Sequence, residues 1–149
     1  MAPLTKEEVD ALLTELDPLT SDEEKRTTLG LKVYDALFNA KPDYIPLFSK
    51  LQGFDNSNVR QSEGIKYYGR TFVDDLLKFI KAAATEAEYE NLINESASQH
   101  KLRNVNKEQF LSGEDVFISA FKQILKQGQN AASMEKFFKD MIPKVAHKI

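Results

Sequence analysis

Apolar residues recur at three- and four-residue steps along most of the chain, which is the spacing of one helix face. In the clearest example a single face carries Ile65, Tyr68, Phe72, Leu76 and Phe79. No segment alternates polar and apolar residues in the way that a half-buried strand does. The pattern therefore predicts an all-α protein.

The periodic segments and their interruptions predict where the helices lie. We expect long helices over about residues 5–16, 21–40, 58–84, 85–101, 106–127 and 130–147. The second helix should end at Lys41, because a residue before proline is disfavoured in the helical region. A short turn is expected from Tyr44 to Phe48, followed by a loop around Gly53.

Capping boxes support these helix starts. Such a box places Ser, Thr or Asn at the N-cap and Glu or Gln three residues later, so that each side chain accepts from an otherwise unpaired backbone N–H. Four pairs fit this spacing: Thr5 with Glu8, Ser21 with Glu24, Thr85 with Glu88, and Asn106 with Gln109. Gly128 is predicted to cap the C-terminus of the helix before it.

Two glycines lie inside predicted helices, where glycine costs about 1 kcal/mol relative to alanine. Gly30 lies four residues before Tyr34, and Gly69 directly follows Tyr68. Each could be a tolerated surface glycine. The alternative is that two helices cross here in close backbone contact, which would place Tyr34 and Tyr68 beside each other over one cavity.

The composition narrows the class of protein. A chain of 149 residues predicts a single domain over residues 1–149,. A net charge of -3 with interspersed Lys and Glu gives no basic face for nucleic acid,. No apolar run reaches the roughly 20 residues that span a bilayer, and the N-terminus does not resemble a secretory signal. We expect a cytoplasmic protein without a membrane or nucleic-acid partner.

His100 is the candidate metal ligand. The chain has two histidines and no cysteine, and the other histidine, His147, lies near the C-terminus. His100 is therefore the only well-placed strong ligand for a transition metal. The competing interpretation is an ordinary hydrogen-bonded histidine of a helix.

Several segments together carry a family resemblance. Pro42 is followed six residues later by Phe48, and Tyr34 lies fourteen residues before Phe48. Further along are Ile65–Thr71, with a tyrosine followed by glycine, and His100–Val105. In these segments, and in the glycine pair, the chain resembles the globins over nearly its whole length. Within that family it is similar to the haemoglobins of trematode flatworms, which share two distal tyrosines.

The resemblance implies a globin fold of about seven to eight helices enclosing a haem b. His100 would bind the iron, and Phe48 would pack on the porphyrin face. The acceptor for the other ring N–H of His100 would be a backbone carbonyl near Ser96 or the side chain of Gln99. Further haem contacts are expected from Tyr68, Phe72, Leu76, Arg103, Val105 and Phe110. Arg103 could pair with a haem propionate or be a solvated surface residue.

The chain departs from the common globin pattern in three places. A tyrosine, Tyr68, replaces the usual distal histidine or glutamine. Phe72 replaces a smaller aliphatic residue and should narrow the distal pocket. The span from His100 to Phe110 is one residue shorter than in many relatives.

The two tyrosines imply the behaviour towards gases. A neutral tyrosine hydroxyl donates hydrogen bonds, so Tyr34 and Tyr68 should stabilise dioxygen more than carbon monoxide, with nitric oxide as a further ligand. We expect very tight, reversible oxygen binding for storage, scavenging or transport by a monomer that is not an enzyme. The alternatives are a haem-dependent redox enzyme, either a nitric oxide dioxygenase or a weak peroxidase, and a haem-free helical interaction module.

Overall fold

Helices account for most of the chain in the computed structural model, which describes residues 1–149. The seven α-helices are α1 (Lys6–Thr20), α2 (Glu23–Ala40), α3 (Glu63–Ala82), α4 (Glu86–Leu102), α5 (Lys107–Leu111), α6 (Gly113–Ile124) and α7 (Gly128–His147). Three short 3-10 turns cover Pro42–Leu47, Ser49–Leu51 and Val59–Gln61. No residue lies in a strand. The prediction of an all-α protein is confirmed.

Two of the predicted capping boxes are present in full. At the start of α1, Glu8 N–H donates to Thr5 Oγ1 at 3.1 Å and Thr5 N–H donates to Glu8 Oε1 at 2.9 Å. At the start of α5, Asn106 and Gln109 exchange the same pair of bonds at 2.9 and 2.8 Å. These boxes use only residues within one turn, which is why the sequence predicts them.

Two other predicted caps are wrong in detail. Asp22, not Ser21, caps α2 by accepting from Lys25 N–H at 2.8 Å, and its carboxylate also interacts favourably with the helix dipole,. Thr85 occupies the N-cap of α4 but its side chain makes no capping bond. The third helix begins later than predicted, because residues 59–61 form a 3-10 turn and Ser62 caps α3.

The predicted helix over residues 106–127 is divided in two. Helix α5 ends at Leu111, and α6 runs from Gly113 to Ile124. Gly128 does not cap the end of α6 but is the first residue of α7. Composition does not distinguish a glycine after one helix from a glycine at the start of the next, since both positions tolerate it.

Helices α2 and α3 cross in close backbone contact at Gly30 and Gly69. A Cβ atom added at Gly30 would lie 2.0 Å from the carbonyl oxygen of Gly69. Any side chain at Gly30 would therefore force the helices apart, so of the two interpretations that the sequence leaves open, the close helix crossing is correct. Tyr34 follows Gly30 by one turn and Tyr68 precedes Gly69, so the crossing brings both tyrosines to the same side of the helix pair.

The remaining helices pack around this pair. Helices α1, α4, α6 and α7 pack with α3 around one apolar cluster, which includes Phe137, Phe138 and Ile80. A second cluster lies between α2, α3 and the three 3-10 turns, around Phe38 and Leu51. None of the helices is long and apolar enough to cross a membrane.

Candidate functional site

A cavity of about 410 Å³ opens between α2, α3, the 3-10 turn Pro42–Leu47 and the C-terminal half of α4. Its volume lies within the range of small-molecule sites, which are mostly apolar concavities with a few polar groups. All nine residues predicted from the sequence line it: Tyr34, Phe48, Tyr68, Phe72, Leu76, His100, Arg103, Val105 and Phe110. The fold therefore brings together residues that span 77 positions of the sequence.

Aromatic rings form one wall of the cavity. The Tyr34 ring packs edge-on against Phe48 and Phe72, with centroid distances of 5.5 and 5.8 Å. Phe48 also packs against Phe38 at 5.5 Å, and Phe72 packs against Phe117 at 5.2 Å. Edge-to-face aromatic pairs contribute about 0.5–1.5 kcal/mol each beyond their buried area. The network therefore holds Tyr34 in one orientation.

The Tyr34 hydroxyl lines the cavity and has no protein partner. The residue is 8% exposed and lines the cavity, and its hydroxyl makes no hydrogen bond to another protein group. Burial raises the pKa of Tyr34 well above its ordinary value of 10, so the hydroxyl is protonated at neutral pH,. A hydroxyl that is free on the cavity wall suits a ligand that accepts a hydrogen bond inside the cavity,.

The Tyr68 hydroxyl has partners in the protein. It accepts from Lys50 N–H at 3.1 Å and lies 3.3 Å from Ser49 Oγ. The ring packs between Phe48 and Tyr67, at centroid distances of 5.0 and 5.4 Å. Both tyrosines therefore line the cavity, but only the Tyr68 hydroxyl is hydrogen-bonded within the protein.

His100 lines the cavity near the C-terminal end of α4. Its Nδ1 is 2.8 Å from the carbonyl oxygen of Ser96, so Nδ1 carries the proton and donates to that carbonyl,. This decides between the two acceptors expected from the sequence, in favour of Ser96. The bond leaves Nε2 with a free lone pair, and Phe110 packs edge-on against the ring at 4.8 Å.

The electrostatic environment keeps His100 neutral. Burial lowers its pKa below the ordinary value of 6.5, and this effect outweighs the opposing influence of the hydrogen bond to Ser96,. Neighbouring Arg103 lowers the pKa further, because like charges disfavour the imidazolium form. A neutral imidazole with a free Nε2 is the form that binds a metal.

The chain turn after His100 has the geometry of a Schellman motif. Asn104 adopts a left-handed backbone conformation, with φ of 63°. Val105 N–H donates to His100 C=O at 3.0 Å, and Asn104 N–H donates to Lys101 C=O at 3.1 Å,. The motif ends α4 and fixes Val105 in the cavity wall. Arg103, the C-cap residue, is exposed at the cavity rim.

Sequence reasoning missed part of the lining. Apolar side chains from four helices complete the walls, and they include Leu37, Leu92, Phe117, Phe138, Met141 and Ile142. Their helical spacing predicts burial but does not separate a cavity wall from an ordinary core. Polar residues of the lining were also missed, among them Lys78 and Asp75. Asn104 carried a usable signal, since asparagine is the commonest residue after glycine to end a helix in the left-handed conformation.

Comparison with known proteins decides the family. The family model described as Globin matches residues 31–145. A globin of Isoparorchis hypselobagri is 42% identical over 147 residues, covering 98% of this chain and 99% of the relative. A globin of Dicrocoelium dendriticum is 44% identical over 126 residues, covering 85% of this chain and 87% of the relative. The chain belongs to the globin family. The resemblance to trematode globins is thereby confirmed.

Solved structures agree on the fold. Ferric myoglobin of Aplysia limacina superposes with a TM-score of 0.82 at 19% identity, covering 97% of this chain and 98% of the myoglobin. The haemoglobin of the botfly Gasterophilus intestinalis gives a TM-score of 0.75 at 15% identity, covering 97% and 98% of the two chains. The predicted globin fold is confirmed.

The residues present fit the haem that the globin family implies. No group of three or more His, Cys, Asp or Glu side chains could hold a bare metal ion. A single neutral histidine instead suits a metal that arrives with most of its ligands already in place, as in a haem. The apolar walls would contact the porphyrin, and the cationic rim residues Lys78 and Arg103 would face its carboxylates.

Proposed function

We propose that this globin binds dioxygen reversibly and with high affinity through a haem b. The observation that carries the proposal is the arrangement of His100, whose Nδ1 is engaged by the Ser96 carbonyl while Nε2 is free beside an apolar cavity. When bound, the haem supplies an iron with one open coordination position for a diatomic gas. The chain has no cysteine, so a thioether-attached haem is excluded and a non-covalent haem b is the form that we propose.

His100 holds the cofactor from one side. The hydrogen bond to Ser96 fixes the tautomer and increases the basicity of Nε2, as bonds of this kind do for metal-binding histidines. Edge-on packing against Phe110 restricts rotation of the ring. The His100 ring is therefore already oriented before the cofactor binds.

Tyr34 is the main hydrogen-bond donor to dioxygen in this proposal. Its hydroxyl is protonated and has no protein partner, whereas the Tyr68 hydroxyl accepts from Lys50 N–H. A hydrogen bond to an acceptor with partial negative charge contributes roughly 1.5–3 kcal/mol, or about 10- to 150-fold in affinity. Tyr68 is the weaker donor while its present bonds persist.

The same donors set the preference among gases. Carbon monoxide acquires less negative charge than dioxygen when it binds, so a tyrosine donor favours dioxygen. Nitric oxide also enters the cavity in this proposal. Very slow oxygen release suits storage or scavenging at low oxygen pressure better than delivery to well-supplied tissue.

The redox alternatives make demands that this cavity meets poorly. A peroxidase needs a general base beside the bound ligand, and the wall that carries Tyr34 and Tyr68 consists of tyrosines and phenylalanines,. A protonated tyrosine is a weak base, so we propose a gas-binding protein and not an enzyme. Nitric oxide dioxygenation would require a separate electron donor to sustain turnover. The haem-free interaction module leaves both the cavity and the orientation of His100 without a role.

We also propose that the chain forms one domain over residues 1–149 and acts as a cytoplasmic monomer. Sedimentation of the haem-loaded protein at several concentrations tests the oligomeric state. A single species of the mass of one chain is expected.

Absorbance spectroscopy tests the proposed function. The reduced protein should give a strong Soret band that shifts with dioxygen and, separately, with carbon monoxide. His100→Gly should lose this spectrum, and added imidazole should restore it by occupying the vacated space. A folded wild-type protein that takes up no haem would refute the proposal and favour the interaction module.

A further inference from the structure

The 3-10 turn Ser49–Leu51 contacts the first turns of α3 at two points. At one point the Lys50 N–H donates to the Tyr68 hydroxyl, as described above. At the other, the carbonyl of the same residue lies against Gly64, one helical turn before Tyr68. Residues four apart on a helix share a face, so Gly64 and Tyr68 present one surface to Lys50.

Gly64 is required for this approach. A Cβ atom added there would lie 2.7 Å from Lys50 O, 2.9 Å from Leu51 Cδ2 and 3.0 Å from Lys50 Cβ. Two of these three contacts involve Lys50, and one is with its backbone, which cannot rotate away as a flexible side chain can. The absence of a side chain at Gly64 therefore sets the distance between the 3-10 turn and α3.

We propose that Gly64 is a positioning residue that holds the Tyr68 hydroxyl on the 3-10 turn and so limits Tyr68 as a donor to the gas ligand. The proposal rests on the function proposed above. Gly64 lets the Lys50 backbone approach α3, and the Lys50 N–H then lies within hydrogen-bond distance of Tyr68. The Tyr68 proton is left to Ser49 Oγ, at 3.3 Å, which competes with donation into the cavity.

This arrangement makes oxygen affinity adjustable from the 3-10 turn. While the contact holds, Tyr34 is the single free donor. Displacing Lys50 releases the Tyr68 hydroxyl, which can then turn into the cavity and act as a second donor. Oxygen release should therefore become slower, not faster, when Gly64 carries a side chain.

Hydrogen exchange of the Lys50 amide, measured by NMR on the haem-loaded carbon monoxide form, tests the contact directly. Tyr68→Phe removes the acceptor and Gly64→Ala displaces the donor, so each should speed exchange by roughly 2- to 10-fold. Tyr67→Phe is the matched control for the first variant, since its hydroxyl lies on the neighbouring ring and makes no bond to Lys50. Gly128→Ala controls for the second, because a Cβ there meets nothing within 4 Å. Unchanged exchange in Tyr68→Phe would overturn the proposal.

Oxygen release by stopped flow tests the consequence. Gly64→Ala should release oxygen several-fold more slowly than the wild type, and this slowing should vanish when Tyr68→Phe is added. Ser49→Ala removes the hydroxyl that pairs with Tyr68 and introduces no steric clash, so it should also slow oxygen release. It replaces Gly64→Ala as the test if that variant folds poorly. Faster or unchanged release in Ser49→Ala would overturn the proposal. If neither Tyr34→Phe nor Tyr68→Phe changes the rate of oxygen release, the proposed donor function has failed. Exchange of the Lys50 amide still reports independently on the contact between the 3-10 turn and Tyr68.

Discussion

Tyr34 and Tyr68 pack edge-on against the same ring, that of Phe48, yet only the Tyr68 hydroxyl is bonded to the backbone. The two centroid distances, 5.5 and 5.0 Å, place both tyrosines on one wall of the cavity. Their hydroxyl groups are nevertheless unequal, because Lys50 engages one and nothing in the protein engages the other.

Removal of the Tyr34 hydroxyl should affect oxygen release more than removal of the Tyr68 hydroxyl. Tyr34→Phe loses a free donor, so oxygen dissociation should accelerate by roughly 10- to 150-fold. Tyr68→Phe loses a donor that is partly engaged elsewhere, and a smaller acceleration is expected. Stopped-flow replacement of oxygen by carbon monoxide measures both rates.

A third tyrosine provides the control for this pair. Tyr89 is 1% exposed, lies outside the cavity lining and donates to Asp140 at 2.7 Å. Tyr89→Phe should therefore lower stability without altering oxygen release. A larger acceleration in Tyr68→Phe than in Tyr34→Phe would contradict the assignment of Tyr34 as the main donor.

The sequence predicts which residues line the cavity, but it does not predict which tyrosine hydroxyl is hydrogen-bonded within the protein. Helical spacing and the family resemblance place Tyr34 and Tyr68 over one pocket, and the glycines at the crossing are visible in the chain. The bond from Lys50 to Tyr68 depends on how closely a 3-10 turn approaches α3 at Gly64. Such an approach is a tertiary contact that no local pattern encodes.

Phe72 should limit how fast gases enter the cavity. Its ring lies between Tyr34 and Phe117 in the cavity wall, at 5.8 and 5.2 Å. Phe72→Leu removes part of that wall, so carbon monoxide should rebind faster after flash photolysis. Phe121→Leu is the matched control, since Phe121 is fully buried but does not line the cavity. Equal rebinding rates in Phe72→Leu and the wild type would show that entry is controlled elsewhere.

The turn at Asn104 should determine how firmly the proximal side is held. Its left-handed conformation suits glycine and asparagine but costs a β-branched residue roughly 1–2 kcal/mol,. Asn104→Val should therefore lower stability by about that amount and speed haem loss, because the turn anchors the carbonyl of His100,. Asn104→Gly should keep both properties near those of the wild type. Haem transfer to an acceptor apoprotein measures the loss, and equal rates for the two variants would contradict the role assigned to the turn.

Helix caps show where local prediction ends. The caps Thr5 and Asn106 are predictable from the sequence, because each closes a box with a residue in the first turn of its own helix. At the start of α7 the N-cap residue Gln127 makes no side-chain cap. Glu15 takes that role from α1, accepting from Lys126 N–H at 2.6 Å and from Asn130 Nδ2 at 2.8 Å. A partner more than 100 residues away leaves no signal in the sequence near the helix.

Glu15 should make the docking of α1 on α7 depend on pH. Burial alone would raise its pKa, but the hydrogen bonds from Asn130 and Lys126 outweigh burial and hold the pKa below the ordinary 4.5,. The folded state therefore binds fewer protons than the unfolded state, and the stabilisation is complete above pH 4.5 and is lost as the pH falls through the lower, folded value,. Glu15→Gln should cost about 0.5–2 kcal/mol at neutral pH, as for loss of a helix cap, and progressively less in acid. Urea denaturation of the haem-loaded protein across this range measures the difference. A cost for Glu15→Gln that is the same at neutral and acidic pH would mean that the carboxylate charge contributes nothing to this contact.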